Sequence, residues 1–386
     1  MVINLGAWGQ HMNDCVFILG GSPLQKSLLD VVNSRYTSVV VDGDSHCALA
    51  SKCGSFINID FSNVSLLESY AKDYRPKLIV TAASEVGNLA AAQVCNNMGI
   101  PYNSFKTVHD AINKYAMKER LTRCGVNTPE LLGIYQDKKL NISKALRYPI
   151  IVKPSQSSAG RGVRMIYSEL ELHKSLSDAS MLSKDGAALI EEYVEGAQYS
   201  VETISSNGKH VIVGVAREYF GSKPFFAETH VIFPAQLSLN KRDEVYCAVY
   251  KTLDSFGVFV GACHVEIRVA EDGQVYIIEL ATRMGGWRHE LIAHAFGADY
   301  SNMMLKAYEG LDVSSENEKN SYAVLKHLYS DSDIDLYDKL IKDKRFFVSD
   351  VTWLKDSIQD KQSSLMDSAG YFFIESSRYE DICHVA

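Results

Sequence analysis

The sequence predicts an α/β lobe followed by α+β lobes built on antiparallel sheet, and three observations carry that expectation. Short apolar runs alternate with helical stretches through the first third of the chain. The hairpin dipeptides Asn207-Gly208 and Asp272-Gly273 punctuate the middle. The chain has 386 residues, more than one hydrophobic core usually serves, so two or three packed lobes are expected.

In the first third, Cys15-Val-Phe-Ile-Leu19 reads as a buried strand, followed by Gly20-Gly21 and a helix from Pro23 to Asn33. Ser38 to Asp42 and Lys77 to Thr81 read as further strands, and Glu85 to Met98 as a helix. Short buried strands separated by helices imply a parallel sheet. From Arg147 to Ala281 hairpin signals replace most of the helices, which predicts antiparallel sheet. Helix returns at Glu290 to Ala295 and Tyr300 to Glu309, and the polar run Ser314 to Asn320 reads as a linker into a C-terminal lobe. The expected domains are 1–112, 113–313 with a small lobe near 124–196, and 314–386.

Composition narrows the function classes. The chain is 46% hydrophobic and 22% charged, as in ordinary globular proteins. No apolar run approaches the ~20 residues that cross a bilayer, and Met1 to Asp14 lacks a signal-peptide pattern, so a cytoplasmic location without a membrane partner is expected. Eight scattered cysteines with no C-x-x-C pair imply neither a disulfide framework nor a zinc site. A formal net charge of −8 argues against nucleic acid as a partner.

The most informative element is the hairpin from Gly261 to Ala281. With Asp272-Gly273 as a two-residue turn, Glu266 falls directly opposite Glu279, on one sheet face with Cβ atoms about 4.5–5.5 Å apart. Two carboxylates so placed repel, and each is costly to bury unpaired. A divalent cation between them resolves the conflict, and hard oxygen ligands favour Mg²⁺ over zinc. Basic neighbours, or protonation of one acid, resolve it as well.

Upstream, Tyr148-Pro-Ile-Ile-Val-Lys153 is a strand ending in a lysine, followed by the small-residue loop Ser155-Gln-Ser-Ser-Ala-Gly-Arg-Gly-Val163. Such a loop is either a plain hairpin connection or a cover for phosphates, whose backbone N–H groups approach an anion closely. No G-x-x-x-x-G-K-[ST] pattern occurs. Ala188 to Glu202 then reads as a strand, a turn with two acids and a tyrosine, and a second strand.

In this order the residues resemble the ATP-grasp superfamily. The likeness runs from Asn113–Leu121 and Gly125–Pro129, through Pro149–Val163 and Glu191-Glu-Tyr-Val194, to Glu266, Glu279 and Arg283-Met-Gly-Gly-Trp287. It implies an ATP-grasp fold: a parallel-sheet, biotin-carboxylase-like N-terminal domain, a small nucleotide-covering lobe and a central antiparallel catalytic domain. It also implies ATP and Mg²⁺ as cofactors, and small-molecule carboxylate and amine substrates joined through an acyl phosphate. Arg283 with Trp287, and Pro224–Glu228 through Pro234-Ala235, are similar to bacterial L-amino acid ligases that make dipeptides.

Carried over residue by residue, the resemblance places Lys114 and Lys153 on the ATP phosphates, with Ser157, Ser158 and Gly160 in the loop above them. It places Glu191, Glu192, Tyr193 and Val194 at the adenine, Gln198 at the ribose, and Glu266 and Glu279 on the metal. Arg283 stabilises the transferring phosphoryl group alongside Lys153. Glu228, Trp287 and Arg288 meet substrate. His289 either takes the proton of the attacking amine or simply starts a helix; His264 and His230 are weaker candidates. Two positions depart from the family: Ala281 stands where an asparagine is frequent, and Gln198 where an acid takes the ribose hydroxyls. These departures leave a non-catalytic nucleotide sensor as an alternative, beside a carboxylase or nucleotide-biosynthesis ligase. A dinucleotide-dependent oxidoreductase is disfavoured because Gly20-Gly21-Ser-Pro-Leu lacks the G-x-G-x-x-G spacing. A homodimer is left open.

Overall fold

The computed structural model describes residues 14–314, 319–359 and 361–384, so most of the expected leader-free start (1–14) and the middle of the expected linker (314–320) lie outside the described residues. The N-terminal sheet comprises β1 (Cys15–Leu19), β2 (Thr37–Asp42), β3 (Ser55–Asn58) and β4 (Leu78–Val80) in the order β3-β2-β1-β4. All of its pairings are parallel, as the buried runs predict. Helices α1 (Lys26–Asn33), α2 (Val64–Tyr74) and α3 (Glu85–Met98) connect it onward, and α3 is capped by the Ser84 side chain, which accepts from the Gly87 N–H. Next come α4 (Phe105–Ile112) and α5 (Lys114–Arg123).

A second, five-stranded sheet holds β5 (Leu131–Gln136), β6 (Lys139–Ile142), β7 (Ile150–Pro154), β8 (Arg164–Ile166) and, beyond α6 (Glu169–Leu182), β9 (Ala188–Glu192). Its core is small and separate, built around Ile150, Val152, Leu172, Leu176 and Ile190. The third sheet has nine strands. It includes β10 (Gly196–Ser206), β11 (Lys209–Phe220), β12 (Glu228–Phe233) and, after α7 (Leu239–Phe256), β13 (Gly261–Ala270) and β14 (Val275–Ala281). Helices α8 (Arg288–Phe296) and α9 (Tyr300–Tyr308) follow. Then come β15 (Tyr322–Leu328), α10 (Asp331–Leu340), β16 (Phe347–Val348), β17 (Thr352–Trp353), β18 (Gly370–Ser376) and α11 (Tyr379–Ile382).

Two features go beyond the sequence expectation. The middle of the chain contains the long helices α6 and α7, each burying a stripe at helical spacing: Leu172, Leu176 and Ala179 in the first, Val245, Val249 and Phe256 in the second. The segment after residue 314 also continues the central sheet, because β15 pairs antiparallel with β12 from His230↔Lys326 to Phe233↔Ala323. Among the described residues no helix is long and apolar enough to cross a membrane, and all eight cysteines are free thiols.

Candidate active site

A cleft opens between the five-stranded and nine-stranded sheets, lined from both by residues including Lys153, Glu191, Glu266 and Glu279. Glu266 and Glu279 are indeed Cα partners across β13 and β14, but by a different route from the expected two-residue turn. The turn holds three residues, Glu271 to Gly273, closed by Ala270 N–H donating to the Gln274 carbonyl at 2.9 Å. Gly273 takes φ +86°, a backbone glycine adopts without a Cβ penalty. That shifts the register by one until a bulge at Ile278, between the pairs Ile267↔Ile277 and Glu266↔Glu279, shifts it back.

Five acids gather on this floor, and their exposure separates them. The side chains of Glu266 and Glu279 keep 29% and 20% of their surface open, whereas Glu228 keeps 12%, Glu218 2% and Glu202 none. The two opposed acids are therefore the ones available to a cation. Burial, with the Glu266 carboxylate beside it, raises the Glu279 pKa even though Lys114 opposes the shift. Burial raises Glu266 as well but is outweighed by His264, whose Nε2 lies 3.6 Å from Glu266 Oε1, so this carboxyl is held below its usual range. His264 in turn sits 2.5 Å from Glu202 Oε1 and titrates near 10 despite its burial, so it is a cation that neutralises Glu202. Two opposed carboxylates that raise one another's cost are a donor pair that fits Mg²⁺, which they would hold through oxygen ligands.

Lys114 joins floor to roof. Its ammonium is 3.2 Å from Glu279 Oε2 and donates to the Ser157 carbonyl at 2.8 Å. The loop from Ser155 to Val163 carries three left-handed residues, Ala159, Gly160 and Gly162. Ser157 lines the cleft, and its buried Oγ has no protein partner, leaving a donor for an anion. Ser158 and Gly160 line the same wall.

At the other end, Glu191 accepts from Lys153 at 2.8 Å and from Lys118 at 3.2 Å, both on Oε2, while its buried Oε1 has no partner. Lys118 is a buried lysine that sequence pattern does not single out, since it reads as one more charge on a polar helix. Burial pushes it down to about 8, and it also donates to Thr128 Oγ1 and the Pro129 carbonyl. Glu192, Tyr193 and Val194 line the cleft, and the Val194 carbonyl accepts from Arg268 at 2.7 Å. Gln198 is on the floor as expected, but its amide is engaged: it donates to Glu218 at 3.1 Å and Glu266 at 3.2 Å, and accepts from Arg268.

Beyond Glu266 and Glu279, Arg283 lines the cleft and donates to Glu85 Oε1 at 3.0 Å, on the first turn of α3. Arg288 is buried and donates 3.0 Å bonds to Glu218 and Glu228, with Glu202 3.7 Å from its Nε. A guanidinium so occupied has little left for a substrate carboxylate, so the expected clasp is instead a brace between floor acids. Burial works against ionisation of Glu228, but Arg288 and His327 hold its carboxyl down to about 2. His327, on β15, lies 3.2 Å from Glu228 and was not legible before the fold, because only the sheet brings residue 327 to residue 228. Burial and the Glu266 carboxylate push Glu218 up to about 7.

Trp287 has a left-handed backbone, φ +56°, and packs on Tyr371 and His327 with centroids 5.1 and 5.5 Å away. His289 is not among the residues lining the cleft. Burial, with Lys26 nearby, lowers it to about 4, and Glu290 is its charged neighbour at 3.7 Å. His230 stacks on Tyr219 at 4.2 Å as packing.

Residues 146–290 match the ATP-grasp domain family. The chain is similar to an uncharacterised protein of Sinorhizobium fredii, 24% identical over 260 residues covering 66% of this chain and 53% of the relative. It is similar to a D-alanine–D-alanine ligase A of Bacillus cereus, 26% identical over 226 residues covering 54% of this chain and 71% of that one. The chain thus spans about half the length of the first of these relatives. Among solved structures, an L-amino acid ligase from Bacillus licheniformis superposes with a TM-score of 0.79 over 96% of this chain and 95% of its own, at 17% identity, a likeness of fold. The class is therefore defined by a cleft between two sheets with opposed acids on its floor. Residues 146–290 thus carry an ATP-grasp domain.

Proposed function

We propose that this protein is an ATP-dependent carboxylate–amine ligase that forms an amide through an acyl phosphate and releases ADP and phosphate, with an amino acid among its substrates. The observation that carries this reading is the opposition of Glu266 and Glu279 in a cleft that Lys114, Lys153 and Arg283 also line. A nucleotide sensor has no need of that full phosphoryl-transfer set.

In this reading Glu191 to Val194 seat the adenine, and Lys153 and Lys114 neutralise the triphosphate as point charges. Glu266 and Glu279 would hold Mg²⁺, which when bound would supply charge neutralisation on the phosphates. The substrate carboxylate attacks the γ-phosphorus, the bond to the β–γ bridging oxygen breaks, and ADP leaves. Arg283 stabilises the charge on the moving phosphoryl group. The amine then attacks the acyl carbon, phosphate departs, and the amine proton is lost to solvent or a base. The loop from Ser155 to Val163 excludes water from an intermediate that would otherwise hydrolyse. Eight free thiols support a cytoplasmic location.

The test is phosphate release from ATP and Mg²⁺ with pooled amino acids, with Glu279→Gln as control and mass spectrometry of the products. Release that requires amino acids and is lost in the control supports the ligase. Nucleotide binding without turnover on any pool overturns it.

A further inference from the structure

Three chain segments that are far apart in sequence meet at one corner of the cleft. They are the loop from Ser155 to Val163, the bend from Gly221 to Ala227 after β11, and the turn from Ser363 to Ser368 before β18. The Leu365 N–H donates to the Ala159 carbonyl at 3.2 Å, tying the turn to the loop. A methyl group on Gly160 would lie 3.2 Å from the Phe226 carbonyl, so loop and bend are in contact. A methyl group on Gly221 would lie 2.5 Å from the Gln362 amide oxygen, so bend and turn are in contact as well.

The loop presents Ser157, Ser158 and Arg161 to the cleft, with the Arg161 guanidinium turned onto Ser158, while the end of β11, the bend and the turn present apolar side chains. Phe220, Phe226 and Leu365 all line it, and the two rings meet edge to face at 6.2 Å. Lys223 covers Phe226 with its ammonium 3.6 Å from the ring centroid, which fixes the ring in place. The turn is pinned from below. The Asp367 carboxylate accepts from the Ser363 and Ser364 N–H groups at 2.8 and 3.1 Å and pairs with Lys361 at 3.2 Å. Leu365 is thereby held against the cleft while its neighbour Met366 is 57% exposed. The nearby acids offer no alternative recognition of a polar group, since Glu218 and Glu228 both accept from Arg288.

We propose that the corner of Phe220, Phe226 and Leu365 receives the side chain of the carboxylate substrate. That substrate is then an amino acid with an apolar side chain, and Leu365, supplied by the C-terminal segment, determines specificity. The inference rests on the ligase reading. A carboxylate aligned on the γ-phosphate beneath the loop brings its side chain to the loop tip, where burial against two rings and a leucine favours apolar groups and penalises charged ones.

The experiment measures amino-acid-dependent phosphate release across single amino acids from glycine to phenylalanine, with charged ones included. It is run on the wild type, Leu365→Asp, Leu365→Ala and Met366→Asp. The wild type should prefer apolar side chains. Leu365→Asp should lower kcat/KM for them by at least ~10-fold while the KM for ATP stays unchanged. Leu365→Ala, which keeps the backbone bond to Ala159, should shift preference toward larger side chains and serves if the aspartate variant fails to fold. Met366→Asp should match the wild type. A wild type that turns over charged or polar amino acids best, or Leu365 variants that slow every substrate equally, overturns the proposal and leaves the ligase standing. A wild type that turns over none of the amino acids defeats the ligase reading itself.

Discussion

Arg283 and Glu85 join across 198 positions of sequence, Nη2 to Oε1 at 3.0 Å. Arg283 lies just past the strand that carries Glu279, and Glu85 opens α3 beside the N-terminal sheet. The guanidinium proposed to serve the phosphoryl group is thus held by a helix of the N-terminal sheet, not by the sheet that carries Glu266 and Glu279. Replacing Glu85 with alanine should free the arginine to swing. We expect kcat to fall ~10–100-fold with little change in ATP affinity, since a small misplacement of a positioned group is costly to rate. Steady-state kinetics beside nucleotide titration checks this; equal losses in both would count against it.

Lys118 and Lys153 share one oxygen of Glu191. Lys118→Met should leave a buried carboxylate with one partner where it had two, and lower stability by ~1–3 kcal/mol. ATP should bind more weakly because β9, which leads into the segment proposed to seat the adenine, loses its tie to α5. Urea unfolding and nucleotide titration read the two effects separately.

Glu228 links pH to stability. Its folded pKa, about 2, lies below the 4.5 of an ordinary glutamate, so the folded state holds the proton less tightly than the unfolded chain does. Its contribution is therefore fully present above pH ~4.5 and is lost as pH falls toward 2, with a size on the order of 3 kcal/mol. Glu228→Gln should be less stable than wild type at pH 6 and should close much of that gap at pH 3. Urea midpoints at the two pH values give the answer, and parallel pH profiles for the two proteins would contradict it.

Gly160→Ala tests the loop. At φ +68° an alanine is strained by ~1–2 kcal/mol, and its methyl group would press on the Phe226 carbonyl. Turnover should drop while the global unfolding midpoint barely moves, because the loop lies outside the cores. A wild-type rate would show that this backbone conformation is not needed for catalysis.

Much of this site is readable from sequence where chemistry and local periodicity coincide. The parallel strands around Phe17 and Val40 are legible as apolar runs, and the Asn207-Gly208 turn forms where its dipeptide places it, between the partners Ser206 and Lys209. The opposition of Glu266 and Glu279 is foreseen with a turn one residue too short and no bulge, two departures that cancel. What sequence cannot convey is occupancy. Gln198 and Arg288 fall within the site, but only the fold shows Gln198 bonded to two acids and Arg288 spent on Glu218 and Glu228. Lys118, Glu85 and His327 escape notice because their partners lie 73, 198 and 99 positions away. His289 has the right chemistry beside Trp287, and the turn of the chain carries it away from the cleft.

The antiparallel seam between β12 and β15 also sets where the molecule can be cut. A fragment ending near residue 313 would keep Glu266, Glu279, the lysines and the glycine loop, yet it would strip one of the two hydrogen-bonding neighbours from Glu228-Thr-His-Val-Ile-Phe233, leaving only β11 beside it. A newly exposed edge of that composition is a template for other chains. Such a fragment should self-associate instead of giving a smaller soluble enzyme.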